Sequence, residues 1–191
     1  MSKTFLTISP GANSSGFCIA DGSEIKKIFP LNLKGLAMEA KEQRLIANIR
    51  SLVYLFQPEF VLVEAIDGKR KTLKNKILLG FVVNFCLNLG LSVKYFSIDQ
   101  AKKAICPEIK NPGWQEVVNT ISRDFCSSIE VSNFIQKLFP KNLKSFEDCK
   151  GARFFPLSDV RRYYFPALLA LTLCLGYQIT FNEQKYESIN A

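Results

Sequence analysis

The sequence predicts an α/β fold, a mixed five-stranded sheet with helices on both faces, in the order βββαβαβα. Three observations predict it. Three short β-rich runs joined by turn residues open the chain, two later apolar runs alternate with helix-patterned segments, and a strongly apolar helix lies near the end. An antiparallel opening followed by strand–helix alternation gives a sheet of mixed direction that needs cover on two sides. At 191 residues and 48% hydrophobic, the chain can bury a core and is short for two ordinary domains. Residues 1–191 are therefore read as a single domain, with a short C-terminal tail at 178–191.

Each element has a local reason. Residues 4–8 are apolar and β-rich, and 10–15 form a turn of Pro, Gly, Asn and Ser. Residues 16–20 read as the returning strand, Asp21-Gly22 as a tight hairpin turn, and 24–29 as a third strand. After a polar linker, Leu45, Ile49, Leu52, Val53 and Phe56 recur at helical spacing over 37–56. Pro58 ends that helix. Residues 59–64 (EFVLVE) are nearly all apolar, as a central strand covered on both faces should be. A basic loop, Gly68-Lys69-Arg70-Lys71, leads into a second helix over 72–89. Its stripe is read as Leu73, Ile77, Phe81 and Phe85, with Gly90 as the cap. Residues 91–96 are the next strand, and Ser97 or Asp99 caps a short helix carrying Lys102 and Lys103. Residues 107–113 form a turn, 114–125 a helix, and 131–138 a shorter helix before a basic loop. The last helix is read over 166–177, with Pro166 in its first turn, where proline is favoured.

Composition narrows the chemistry. The net charge of +8 suits a polyanionic partner and says nothing about fold. The chain has no histidine, which excludes Ser-His-Asp and Cys-His catalysis and histidine-ligated zinc. Carboxylate–metal chemistry, lysine chemistry or no chemistry remains. Of the six cysteines none forms a C-x-x-C pair, and Cys18, Cys86 and Cys174 lie in apolar segments. This pattern predicts free buried thiols in a reducing, cytoplasmic-type compartment, not a disulfide framework or zinc site. The first apolar run is short and followed by a turn, unlike a signal peptide, and the apolar stretch at 166–176 is too short to span a bilayer, so no membrane partner is expected.

Three blocks carry a resemblance. The first is Ile8-Ser9-Pro10-Gly11, four further residues, Gly16 and Phe17. The second is Gln57-Pro58-Glu59 running through the strand to Glu64. The third is Leu89-Gly90-Leu91-Ser92-Val93, followed by Ala101-Lys102-Lys103-Ala104. Together they resemble the RuvC-like Holliday-junction resolvases, which have an RNase H-like fold, and the likeness covers most of the chain. The resemblance implies a Mg²⁺-dependent nuclease whose ions are held by about four carboxylates: one on the first strand, one ending the central strand, and a D-x-x-D opening the last helix. Mg²⁺ asks for hard oxygen ligands, and paired ions activate water and stabilise the leaving oxygen.

The sequence departs from that pattern. Ser9 stands at the first acid position. Glu64 stands at the second. Ahead of the apolar run from Ala167 come Tyr163, Tyr164, Phe165 and Pro166, with no acid; another register puts Asp159 and Arg162 there. The expectation is a catalytically degenerate member with no metal site and no cofactor. The resemblance then leaves nucleic acid, branched DNA or structured RNA, as the partner, bound through Lys69, Arg70, Lys71, Lys74, Lys76, Lys102 and Lys103. Further candidates are Lys141, Lys144, Lys150, Arg153, Arg161 and Arg162, with Phe154, Phe155, Tyr163 and Tyr164 as possible stacking platforms. Such cations neutralise phosphates without reading sequence. One alternative is an active Mg²⁺-dependent resolvase using Glu64 and Asp159 with displaced acids such as Asp67 or Asp148. Another is a protein-interaction scaffold, a homodimer or a subunit of a larger assembly. A kinase-like phosphate loop at 10–16 would need an acid at Ser9 and a second glycine-rich loop, and neither is found. As a mere strand-end carboxylate, Glu64 would face solvent or pair with Lys69 or Arg70.

Overall fold

The computed structural model describes residues 3–65, 72–138 and 158–190, with the backbone alone at 158–162 and 182–190. Strands β1 (Thr4–Ser9), β2 (Ser14–Asp21) and β3 (Glu24–Asn32) form an antiparallel meander. Helix α1 (Met38–Phe56) leads to β4 (Phe60–Glu64), which pairs parallel to β1. Helix α2 (Leu73–Asn88) leads to β5 (Ser92–Phe96), parallel to β4. Helices α3 (Ile98–Ile105), α4 (Trp114–Asp124), α5 (Ile129–Leu138) and α6 (Ser158–Asn190) follow. The sheet order is β3-β2-β1-β4-β5, so the two central strands are β1 and β4.

Strand alternation divides the interior into two cores. Leu6 and Ile8 of β1, Phe17 and Ile19 of β2, and Val61 and Val63 of β4 face α1 and α2. Phe5, Cys18, Ala20, Phe60 and Leu62 point the other way, toward α3–α6. The parity places Ser9, Gly16 and Glu64 on the second face, at the ends of their strands. Helix α1 buries the expected stripe through Leu45, Ile49 and Leu52, and extends it one turn back to Lys41. Ser97 caps α3, its hydroxyl accepting from Asp99 N–H, and Gly90 closes α2 at a φ of 77°.

Two features correct the sequence reading. Helix α2 does not bury Leu73 and Ile77, which are 73% and 44% exposed; it buries Leu78, Val82 and Cys86. Apolar residues surround this helix, so spacing alone did not choose its inner face. Helix α6 begins at Ser158, eight residues before the expected start, and runs on through the segment read as a tail. Pro166 is therefore an interior proline and not a first-turn one. The apolar part of α6 is also longer than expected. Tyr163–Phe181, 19 residues, is long and apolar enough to cross a membrane. In the fold, Ala167, Leu168, Ala170, Leu171 and Leu173–Leu175 are buried in the core shared with β2, β3 and α3.

Candidate functional site

The strand ends form a row across the sheet. Ser9 of β1 is paired with Gly16 of β2 on one side, and β4 brings Glu64 alongside on the other. Both polar side chains are buried, Ser9 at 1% and Glu64 at 5% exposure. The Ser9 hydroxyl donates to Glu64 Oε2 across 3.0 Å. A buried carboxylate needs such donors, because charge taken from water without partners is costly. The pair is the arrangement the sequence placed at the first two acid positions, with a neutral donor where a second carboxylate would stand. Glu64 is thus not solvent-facing, while the expected partners Lys69 and Arg70 lie outside the described residues.

Helix α6 lies directly over this row. A Cβ on Gly16 would overlap the backbone carbonyl of Pro166 and the nitrogen of Ala167, so glycine is what permits the helix to seat here. Ser14 Oγ donates to the carbonyl of Tyr163 at 3.0 Å, fastening the turn before Pro166 to β2. Phe165 packs edge-on against Trp114, with ring centroids 5.0 Å apart, and Tyr164 stands 6.3 Å from Phe134. The stretch that meets the strand ends is therefore Tyr163 to Ala167, apolar and aromatic. Asp159 lies in the first turn of α6, seven residues and about 10 Å of helix before Pro166. Its side chain is outside the described residues, as are those of Arg161 and Arg162.

The turn between β1 and β2 is held from both sides. Ala12 N–H donates to Asn75 Oδ1 of α2 at 3.1 Å, and Lys41 Nζ of α1 donates to Ala12 C=O at 2.7 Å. Thr72 caps α2 by accepting from Asn75 N–H. Lys74 and Lys76 are exposed in the first turn of α2, which carries no acid there. Lys103 is exposed on α3, whereas Lys102 Nζ sits 4.4 Å from the Trp114 ring centre and donates to Pro112 C=O at 3.3 Å. Lys69, Arg70, Lys71, Asp67, Lys141, Lys144, Asp148, Lys150, Arg153, Phe154 and Phe155 lie outside the described residues. Tyr163 and Tyr164 meet edge to face, centroids 4.8 Å apart. Lys41, Ser14 and Asn75 were not singled out from sequence. Lys41 had a visible signal, standing one turn ahead of Leu45 on the apolar stripe of α1.

Among the described residues no group of three or more acids or cysteines stands together as a metal ion would require. The Ser9 hydroxyl that donates to Glu64 supplies a neutral oxygen and no second carboxylate. These described residues do not fit a two-Mg²⁺ centre, which needs several carboxylate oxygens around both ions.

No protein-family model matches the sequence, nor does any curated protein sequence. Solved structures do match the fold. RuvC of T. thermophilus in complex with a Holliday junction substrate superimposes with a TM-score of 0.60 at 16% identity, over 95% of this chain and 96% of that one. Another Thermus thermophilus RuvC structure gives 0.54 at 16% identity, over 87% and 98%. The yeast mitochondrial Holliday junction resolvase Ydc2 gives 0.58 at 12% identity, over 98% and 85%. The chain has the RuvC-like, RNase H-like fold.

Proposed function

We propose that this protein binds branched DNA or structured RNA on a RuvC-type fold and has lost the nuclease chemistry. The observation that carries the reading is the Ser9–Glu64 hydrogen bond beneath Pro166. The position that would supply a metal-bridging carboxylate supplies a neutral donor, and the part of α6 facing it offers Tyr163, Tyr164, Phe165 and Pro166. The binding half rests on the net charge of +8 and on Lys74 and Lys76, exposed at the start of α2 beside the same strand ends. Lys69, Arg70 and Lys71 immediately precede that helix in sequence, and Lys103 adds a further exposed cation. Contacts of this kind act on phosphates, so affinity should fall steeply with salt and depend little on sequence. A structural or assembly role on such nucleic acid follows, in a reducing compartment suited to the free thiols.

The test is titration of a labelled four-way DNA junction and a structured RNA across a salt series. The reading expects tight binding at low salt, with affinity falling by orders of magnitude between 50 and 200 mM, roughly as for six or more phosphate contacts. No binding at low salt would remove its binding half. Cleavage with Mg²⁺ or Mn²⁺ would replace it by the active-resolvase reading, in which Glu64 and Asp159 act.

A second reading, self-association or docking into a larger complex, is favoured by the outer faces of α1 and α2. Tyr54 is 82% exposed, and Leu55, Leu73, Ile77 and Leu87 are also exposed. Analytical ultracentrifugation at micromolar concentration tests the homodimer, and a monomer would leave docking to another subunit.

A further inference from the structure

Tyr163, Tyr164 and Phe165 follow one another where α6 reaches the strand ends, and the fold treats them differently. Tyr164 and Phe165 pack against the core, Tyr164 with its ring 6.3 Å from that of Phe134 and Phe165 with its ring 5.0 Å from Trp114. Tyr163 does not join them and is 38% exposed. Its ring meets that of Tyr164 edge to face at 4.8 Å. Among the described residues its hydroxyl has no hydrogen-bond partner.

Exposure alone says little, because single apolar side chains are common on protein surfaces. Fixation and position say more. Ser14 Oγ donates to the Tyr163 carbonyl at 3.0 Å, and one turn further on the backbone of Pro166 sits against Gly16. Ser14 follows the exposed Asn13 of the β1–β2 turn, and Gly16 pairs with Ser9. The Tyr163 ring is thus anchored beside the ends of β1 and β2. Other exposed aromatics stand elsewhere. Tyr54 lies in the last turn of α1, which leads into the start of β4. Phe181 stacks on Tyr177, which packs on Phe5 and Phe60 at the strand starts. Tyr95 shares the strand parity of Val93, on the α1–α2 face.

An anchored aromatic ring with a face open to water, on a protein of net charge +8, is suited to an unpaired base. Every base has a π-face, so stacking is tolerant of sequence, while cations follow the backbone. A base inside a duplex presents its edges and not its face. We infer that Tyr163 is a stacking platform for an unpaired base of the bound nucleic acid. The inference rests on the nucleic-acid reading above and adds to it the part of the ligand that lies at the strand ends, single-stranded nucleotides beside a branch or loop. Tyr164 and Phe165, already packed, hold the platform in place.

The test uses the full chain at low salt with two DNA probes. One is a duplex with a short unpaired bulge carrying 2-aminopurine, the other the same duplex without the bulge. Tyr163→Phe keeps the aromatic face, and Tyr163→Leu keeps an apolar contact for Tyr164 without it. Wild type and Tyr163→Phe should quench the 2-aminopurine on binding. Tyr163→Leu should leave it bright and bind the bulge about tenfold more weakly, as for one lost stacked base, with duplex affinity unchanged. In the wild-type complex, 5-iodouracil at the same unpaired position should photo-cross-link to Tyr163, a readout that needs no variant. Tyr163→Leu binding and quenching like the wild type, or a cross-link only to other residues, overturns the platform and leaves the nucleic-acid reading standing. Equal weakening on both probes also overturns it and makes Tyr163 a packing residue. Failure of the wild type to bind either probe overturns the nucleic-acid reading and the platform with it.

Discussion

Ser9 and Glu64, 55 residues apart in sequence, share a buried hydrogen bond of 3.0 Å across the two central strands. The contact joins a neutral donor to a carboxylate with little access to water, so each explains the other's presence. Removing the donor should leave Glu64 partly unsatisfied. Ser9→Ala is expected to cost about 2 kcal/mol in urea denaturation. An unchanged midpoint would mean that other partners already satisfy Glu64.

Ser9→Asp restores the missing acid on paper. It places two carboxylates side by side in a buried row, a like-charge arrangement that is destabilising without a cation. The expected outcome is a less stable protein at pH 7 and no junction cleavage with Mg²⁺, because residues 163–166 of α6 carry no acid. Cleavage assays on Ser9→Asp check this, and recovered activity would make Ser9 the sole lesion.

The seating of α6 gives a separate prediction. A methyl group at Gly16 has no room, since it meets the backbone of Pro166 and Ala167 rather than a movable side chain. Gly16→Ala must push the helix off β2 and should destabilise by about 3 kcal/mol. Guanidinium denaturation measures it. A loss below about 0.5 kcal/mol would show that α6 is not held against the strand ends.

Thiol chemistry should follow burial. Cys86, fully enclosed between α2 and the sheet, has its pKa pushed up by burial to about 12 from 9.0. Burial, and then the neighbouring Cys174, also raises Cys18. Both groups stay protonated when folded and ionise sooner when unfolded. Their contribution to stability is therefore intact below pH 9 and lost as pH rises from 9 toward 12, by about 1.4 kcal/mol per unit for each such thiol. Urea midpoints at pH 8, 9 and 10 check the trend. Thiol labelling at pH 8 should reach Cys18 and Cys86 only after denaturation.

The parts legible in the sequence are those where one local rule acts alone. The turn after Ser9, read two residues too long because Ser14 and Ser15 already belong to β2, the Asp21-Gly22 hairpin, the all-apolar β4 and the Gly90 cap follow from residue chemistry within a few positions. The meeting of Ser9 and Glu64 followed from strand order, which the motif spacing carried. Helix α2 was misread because Leu73, Ile77, Leu78, Phe81, Val82, Phe85 and Cys86 offer two apolar stripes, and only the sheet selects between them. Helix α6 was started too late because Pro166 looks like a first-turn residue. In the fold, the contact of its carbonyl with Gly16 and the Ser14–Tyr163 bond accompany an interior proline. Lys41 was passed over as a polar residue on a helix, although its place on the stripe put it inside.

The most direct test of the account is to incubate the wild-type protein with a labelled four-way junction at low salt, follow binding by anisotropy, and then add 10 mM Mg²⁺ or Mn²⁺ and resolve the strands on a denaturing gel. The account predicts a bound complex that dissociates steeply with salt and intact strands with either metal. Symmetric cuts near the branch point, abolished by Glu64→Gln, would contradict it.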